Sequence, residues 1–420
     1  GMKTSIEKGQ KVAFRALIAA FFVNFLGYAF IVPILPSWQN QFDINATQAT
    51  LLVSLWAVPM FLMGPLSGRI TDRFGAGTTI LTSLILLTLS SGVYLLATNE
   101  WLPHPFLALC FARLLHGASG ATIMTAGLAA ASQLWPTRFG EQAGKLLGIA
   151  AIGGLLGPVF GGVLFAWGEA SAFGFLALVT FSVVPVILYA GPSIGKAQEP
   201  SVGGASVKVF FTDPVLLRVG ILLAITTIAT GALEAGVPLF LDDTLGLGSA
   251  EIGGVLLVMV LMQGLGSLIW GKLVDRNGPT RYMILGWSVV VASLLGVGFV
   301  GWKFSGNNAV FGMIVLLGAF QFSIAAAQIP MLPIIDTATN RALGEGNPGL
   351  AFGAFGTAWA AGTILGPLMV GPVFDIFQSW ALALGVLAIP ATVALFITLK
   401  NREMLHECYD SEMQRRLGTD

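Results

Sequence analysis

GRITDRFGAG, residues 68–77, is a short charged island between two apolar runs, and the chain repeats it. GKLVDRNGPTR begins at Gly271, 203 positions after Gly68. Each island carries Asp–Arg–x–Gly behind a leading glycine: Gly68, Asp72, Arg73 and Gly75 in the first, Gly271, Asp275, Arg276 and Gly278 in the second. Glycine enters positive-φ turns without steric cost, so each island reads as a tight reversal between two helices. The echo extends along the chain. VPILP at Val32 is answered by VPLFL at Val237, 205 positions on, and GPVFGG at Gly157 by GPLMVG at Gly366, 209 positions on. Three nearly constant offsets indicate two duplicated halves.

Around these islands the chain is apolar. Of its 420 residues 55% are hydrophobic and only 10% charged, with a mean hydropathy of +0.83. A soluble domain carries about a quarter charged residues, so lipid rather than water is the implied solvent. A membrane-crossing helix needs about 20 mostly apolar residues. Twelve runs qualify: 13–37, 47–70, 78–97, 105–132, 142–166, 171–192, 215–241, 249–272, 280–302, 308–335, 349–371 and 378–399. The expected fold is an all-α membrane protein of twelve transmembrane helices in two pseudo-symmetric six-helix bundles. The expected divisions are 1–192, a Gly/Ser/Pro-rich linker at 193–213, 214–400, and a polar tail at 401–420. The linker's end, VKVFF, reads either as plain linker or as a segment lying on the membrane surface. After a short basic start the first apolar run continues as a full span, so no cleavable leader is expected.

Lys and Arg placement sets an orientation. Of 21 such residues, Arg113 falls deep within a span and Lys303 in the loop after the ninth; the other 19 lie in, or within a few residues of, the N-terminus, the even-to-odd loops, the linker or the tail. By the positive-inside rule both termini are expected in the cytoplasm. The zero net charge implies no nucleic-acid partner. His104, His116 and His406 are scattered, and Cys110 and Cys408 are ill placed to pair, so neither a metal site, a cofactor nor a disulfide is expected. No nucleophile–base set appears, and GLLGPVFGG lies inside a span rather than after a strand, which argues against an enzyme.

A few polar side chains interrupt the apolar runs. Glu234 stands in TTIATGALEAGVPLFL, residues 226–241, with no other Asp, Glu, Lys or Arg between Arg218 and Asp242. A charge in hydrocarbon costs several kcal/mol, about 2.5–3.5 on insertion scales, so a retained acid marks function. Desolvation favours its neutral form, which makes Glu234 a candidate proton carrier. Pairing with Arg113 would instead make it a structural ion. Arg113, His116, Gly117 and Gly120 fall at i, i+3, i+4 and i+7 and share a helix face. His116 reads either as a packed, hydrogen-bonded residue or as a second proton carrier. Candidate cavity residues are Asn24, Tyr28, Trp56, Thr230, Gln263, Gln321, Gln328 and Trp359, an aromatic set with a few polar groups that suits an amphiphilic organic solute. Asp336 reads as an interfacial residue at the end of the tenth span.

These segments carry a family resemblance. The two islands resemble the signature loop of the major facilitator superfamily and its second-half copy, although Ala76-Gly77-Thr78 replaces the basic residues usual after Gly75. The resemblance implies that Asp72 and Asp275 latch a cytoplasmic gate. RLLHGASGA, from Arg113, resembles the family's arginine motif. Gly144, Gly153, Gly157-Pro158 and Gly161-Gly162 resemble the antiporter motif of drug/proton antiporters and vesicular amine transporters, and imply a fifth helix pressed against the other half. Glu234 matches the seventh-helix acid of the amine transporters. Asn24 and Trp56 stand where those have an aspartate and a lysine, and their later acids fall at Ile324 and Gly356. The resemblance therefore implies a monomeric, proton-coupled exporter of a small amphiphilic or cationic molecule in a bacterial inner membrane, working by alternating access. An exporter of one metabolite, such as a siderophore or polyamine, and an uncoupled facilitator or importer share the same pattern.

Overall fold

The computed structural model describes residues 1–136, 138–195, 208–247, 249–344 and 348–417. Its regular structure there is helical throughout, with no strand among the described residues. Among the described residues, twelve helices are long and apolar enough to cross a membrane. In chain order they are span 1 (Met2–Ile34), span 2 (Thr47–Gly64), span 3 (Ala76–Thr98), span 4 (Pro105–Leu134), span 5 (Glu141–Trp167) and span 6 (Glu169–Ile194). Span 7 (Pro214–Asp243), span 8 (Glu251–Asn277), span 9 (Thr280–Lys303), span 10 (Gly306–Leu343), span 11 (Ala351–Phe377) and span 12 (Trp380–Lys400) follow. Most of the linker lies outside the described residues; of VKVFF the structure shows only the start of a one-turn helix, Val209–Thr212.

Proline sets where the spans break. Span 1 passes from its helix Met2–Phe30 through a 3-10 turn at Val32–Ile34, which contains Pro33. Span 2 breaks between Ala46–Leu55 and Val58–Phe74, just ahead of Pro59. Span 10 breaks between Gly306–Gln328 and Met331–Leu343, at Pro330, and span 12 between Trp380–Gly385 and Ala388–Lys400, just ahead of Pro390. Proline lacks an N–H and its ring strikes the preceding turn, so each break follows from sequence. Not every proline breaks its helix: Pro158, Pro185, Pro192, Pro238, Pro367 and Pro372 lie inside continuous helices.

The helices form two compact units. The first comprises Gly1–Asn45, Leu55–Val207 and Thr339–Thr357; the second comprises Ala46–Ser54, Lys208–Ala338 and Ala358–Asp420. These do not coincide with the sequence halves, because the start of span 2 packs within the second unit and the start of span 11 within the first. Within the first unit Gly64 meets Gly353, whose carbonyl a side chain on Gly64 would strike. Phe139 and Phe352 pack there with ring centroids 5.2 Å apart. Within the second unit the Ser54 hydroxyl donates to the Ile364 carbonyl at 3.2 Å, and Thr47 to the Asp375 carboxylate at 3.3 Å.

Three glycines of span 5, a helix that the resemblance implied would press against the other half, seat span 1. A methyl on Gly153 would lie 2.6 Å from the Phe22 carbonyl oxygen, one on Gly157 2.6 Å from that of Leu26, and one on Gly161 against that of Phe30. All three contacts are with span 1, in the same half and the same unit. The second copy repeats this: Gly362 and Gly366 of span 11 sit on the backbone of span 7 at Ala224, Ile228 and Ala232. The physical reason is spacing. Glycines every fourth residue form one smooth stripe, and the matching neighbour is the helix whose backbone reaches it, here the first of each half.

Candidate functional site

Span 4 carries the polar face anticipated from its spacing, and the first unit closes around it. Arg113 is fully buried. Its Nη1 donates to the Tyr28 carbonyl at 3.2 Å and to the Tyr94 hydroxyl at 3.4 Å, and the guanidinium lies 5.5 Å from the Tyr28 ring centroid. His116, one turn on, is also fully buried. Its Nε2 is 3.2 Å from the Asn24 carbonyl oxygen. A carbonyl only accepts, so Nε2 carries the hydrogen. Its Nδ1 faces the Tyr94 hydroxyl at 3.5 Å. That hydroxyl already accepts from Arg113 and donates onward, so the donors run in one direction, from Arg113 through Tyr94 and His116 to the Asn24 backbone. A neutral imidazole satisfies the whole chain.

The glycines of the same face let this happen. A side chain on Gly117 would strike the Trp56 carbonyl, and one on Gly120 would lie 2.8 Å from Asn24 Oδ1 and 3.1 Å from the Trp56 ring. Trp56 sits at the break in span 2 and packs on Tyr28, centroids 4.4 Å apart, and on Phe25 at 5.8 Å. Asn24 is fully buried, and among the described residues neither its Oδ1 nor its Nδ2 has a hydrogen-bond partner; Trp56 Nε1 likewise has none there. Buried polar atoms are nearly always satisfied, so three such atoms beside one aromatic wall are conspicuous.

The first unit thus gathers Asn24, Tyr28, Trp56, Arg113 and His116, all anticipated from sequence. Tyr94 was missed. It is one of only five tyrosines in the chain, and a phenol inside an apolar run was the available signal.

The second unit treats its candidates differently. Glu234 is exposed, although Ala232, Leu233, Gly236 and Val237 around it are buried. Thr227 turns toward span 11, where its hydroxyl donates to the Trp359 carbonyl at 2.7 Å. The Thr230 hydroxyl bonds back to the Thr226 carbonyl at 3.2 Å. Gln321 is buried with its Oε1 unpartnered, whereas Gln263 and Gln328 are half-buried. No side-chain hydrogen bond joins the three glutamines among the described residues. Asp336 is buried in the second helix of span 10.

Both charged islands form the turns read from sequence. Gly75 has φ +88° and Gly278 φ +83°, and their N–H groups cap the preceding helices by donating to the Thr71 and Val274 carbonyls at 2.9 Å each. Arg73 lies over the Phe74 ring at 5.3 Å. Asp275 accepts a hydrogen bond from Tyr409 at 3.2 Å.

With this geometry in place, comparison with known proteins is decisive for the family. A sequence model of the Major Facilitator Superfamily matches residues 17–367 and 237–407. The chain belongs to this superfamily. It is therefore a multi-pass membrane transporter with the major facilitator fold. Multidrug resistance protein 2 of Bacillus subtilis (strain 168) is 27% identical over 389 residues, covering 89% of this chain and 92% of that protein. The synaptic vesicular amine transporter of Rattus norvegicus is 24% identical, covering 71% of this chain and 56% of that protein. Among solved structures, a bacterial homologue of the iron transporter ferroportin in an outward-facing state superposes with a TM-score of 0.73 at 13% identity, covering 93% of this chain and 98% of that one. That likeness concerns the fold.

Proposed function

We propose that this superfamily member is a proton-coupled antiporter that exports a small amphiphilic or cationic organic molecule by alternating access. It acts as a monomer in a bacterial inner membrane with both termini in the cytoplasm. The observation that carries the reading is Glu234, an exposed carboxylate on a membrane-crossing helix on which Ala232, Leu233, Gly236 and Val237 are buried. A carboxylate facing lipid is costly, so its exposure is explained by an aqueous path in which it takes up and releases protons. The likeness to a multidrug resistance protein supports export.

In this reading Arg113, Tyr94 and His116 form a fixed polar scaffold in the first unit. His116 serves as a hydrogen-bonded link there, and Arg113 holds a permanent charge that disfavours a second cation nearby. The Asn24 amide and Trp56 indole N–H offer hydrogen bonds to substrate against the Tyr28, Phe25 and Trp56 rings of the first unit; within the second unit Thr230, Gln263, Gln321, Gln328 and Trp359 are the candidate substrate contacts. Asp72 and Asp275 act at the cytoplasmic gate.

The test is transport in proteoliposomes under an imposed pH gradient, with pyranine inside and ethidium and tetraphenylphosphonium as probes. Wild type is expected to accumulate probe uphill while protons move the other way. Glu234→Gln is expected to abolish uphill movement yet keep downhill exchange. Uphill accumulation by the Gln variant would remove Glu234 as the coupling group, and transport without proton movement would make the protein a facilitator.

A further inference from the structure

The polar tail is not a loose end. It forms a helix, Arg402–Leu417, that lies on the second charged island. Leu405, Cys408 and Tyr409 are buried, and their spacing of three and four residues places them on one face. The Tyr409 hydroxyl is 3.0 Å from the Val274 carbonyl and 3.2 Å from Asp275 Oδ1. Both are acceptors, so the phenol is the donor shared between them. His406 rests on the glycine turn: a methyl on Gly278 would be 3.0 Å from its Cε1, and its Nδ1 is 3.5 Å from the Thr280 hydroxyl. Cys408 Sγ lies 3.8 Å from the Ile334 carbonyl of span 10, and Arg218, at the start of span 7, reaches the Met404 sulfur at 3.5 Å. One short helix therefore touches spans 7, 8, 9 and 10 at the same end. Its charged composition hides a three-residue apolar face whose one polar group is aimed at the aspartate.

We propose that Tyr409 is a positioning residue of the second gate loop, holding the Asp275 carboxylate in the orientation its latch requires, so that the tail helix is a working part of the transport cycle. A buried phenol donating to a carboxylate fixes its rotamer, and a latch aspartate in the wrong rotamer misses its partner. The inference rests on the gating role given above to Asp275.

Cys408 is a native reporter. In a Cys110→Ala background it is the only thiol, and the docked tail covers it. Tyr409→Phe removes one oxygen and keeps the ring, and its fold is checked by elution and melting. Loss of a hydrogen bond to a charged group is expected to slow ethidium accumulation roughly tenfold and to speed maleimide labelling of Cys408 severalfold. If the tyrosine acts through the aspartate, Tyr409→Phe combined with Asp275→Asn is no slower than Asp275→Asn alone. The inference is overturned if Tyr409→Phe transports at the wild-type rate while Asp275→Asn is slow, or if the two losses multiply. Full transport by Asp275→Asn overturns the gate reading itself, and this one with it.

Discussion

Replacing Gly157 by alanine adds a single methyl at the closest approach of spans 1 and 5. That methyl would sit 2.6 Å from the Leu26 carbonyl oxygen, 3.1 Å from the Phe30 nitrogen and 3.2 Å from the Ala29 Cβ. Two of these atoms are helix backbone and cannot rotate aside. Ordinary contact begins at 3.4 Å, so the helices must separate locally by about 0.8 Å (3.4 minus 2.6). A gap of that size already forfeits a quarter to a half of the dispersion at the seam, and overpacking of this kind costs roughly 1–3 kcal/mol. Gly154 is the internal control, on the same helix with nothing within 4 Å of an added methyl. There alanine is expected to stabilise by roughly 0.5–1 kcal/mol, because glycine loses more backbone entropy in a helix. The assay is thermal unfolding of both purified variants in detergent, with ethidium transport measured in parallel. Gly157→Ala should melt well below wild type and Gly154→Ala at or above it. Equal melting of the two variants would refute the assignment of this stripe to span 1. A proton leak with unchanged melting would instead return it to the boundary between halves.

Other expectations follow from the same geometry. Asp72→Asn should lower transport without lowering expression; unchanged maleimide labelling of cysteines placed near the gate would rule out a latch. Tyr94→Phe removes the hydroxyl that links Arg113 to His116, and leaving a buried donor and a buried acceptor unmatched costs roughly 1–3 kcal/mol; a melting point equal to wild type would show that the chain of hydrogen bonds contributes nothing. Arg113→Lys keeps the charge but loses the fixed, planar Nη1 group that donates to both the Tyr28 carbonyl and the Tyr94 hydroxyl, so transport should fall although the protein folds. Gly75→Ala forces a Cβ onto φ +88°, ψ 152°, a region costing a non-glycine residue roughly 1–3 kcal/mol, which should appear as a lowered melting point.

The amino-acid sequence alone determined the number of spans, the two glycine turns and the duplication. Each depends on local composition or on a pattern repeated at a fixed offset, and lipid leaves the backbone of an apolar run one solution, the helix. It also marked Asn24, Tyr28, Trp56, Arg113 and His116, because a polar or aromatic residue in an apolar run is conspicuous wherever it points. Only the tertiary structure decided what those residues meet. Tyr94 joins Arg113 from another helix, the stripe in span 5 faces span 1, and Thr227 turns to the Trp359 carbonyl. The same holds for the tail, whose charged sequence gave no sign that Leu405, Cys408 and Tyr409 would be buried on the second island. A glycine stripe states that something comes close, and a buried hydroxyl that something accepts its hydrogen. Which atom does so is fixed by how helices distant in sequence cross, and no local window of the chain contains that information.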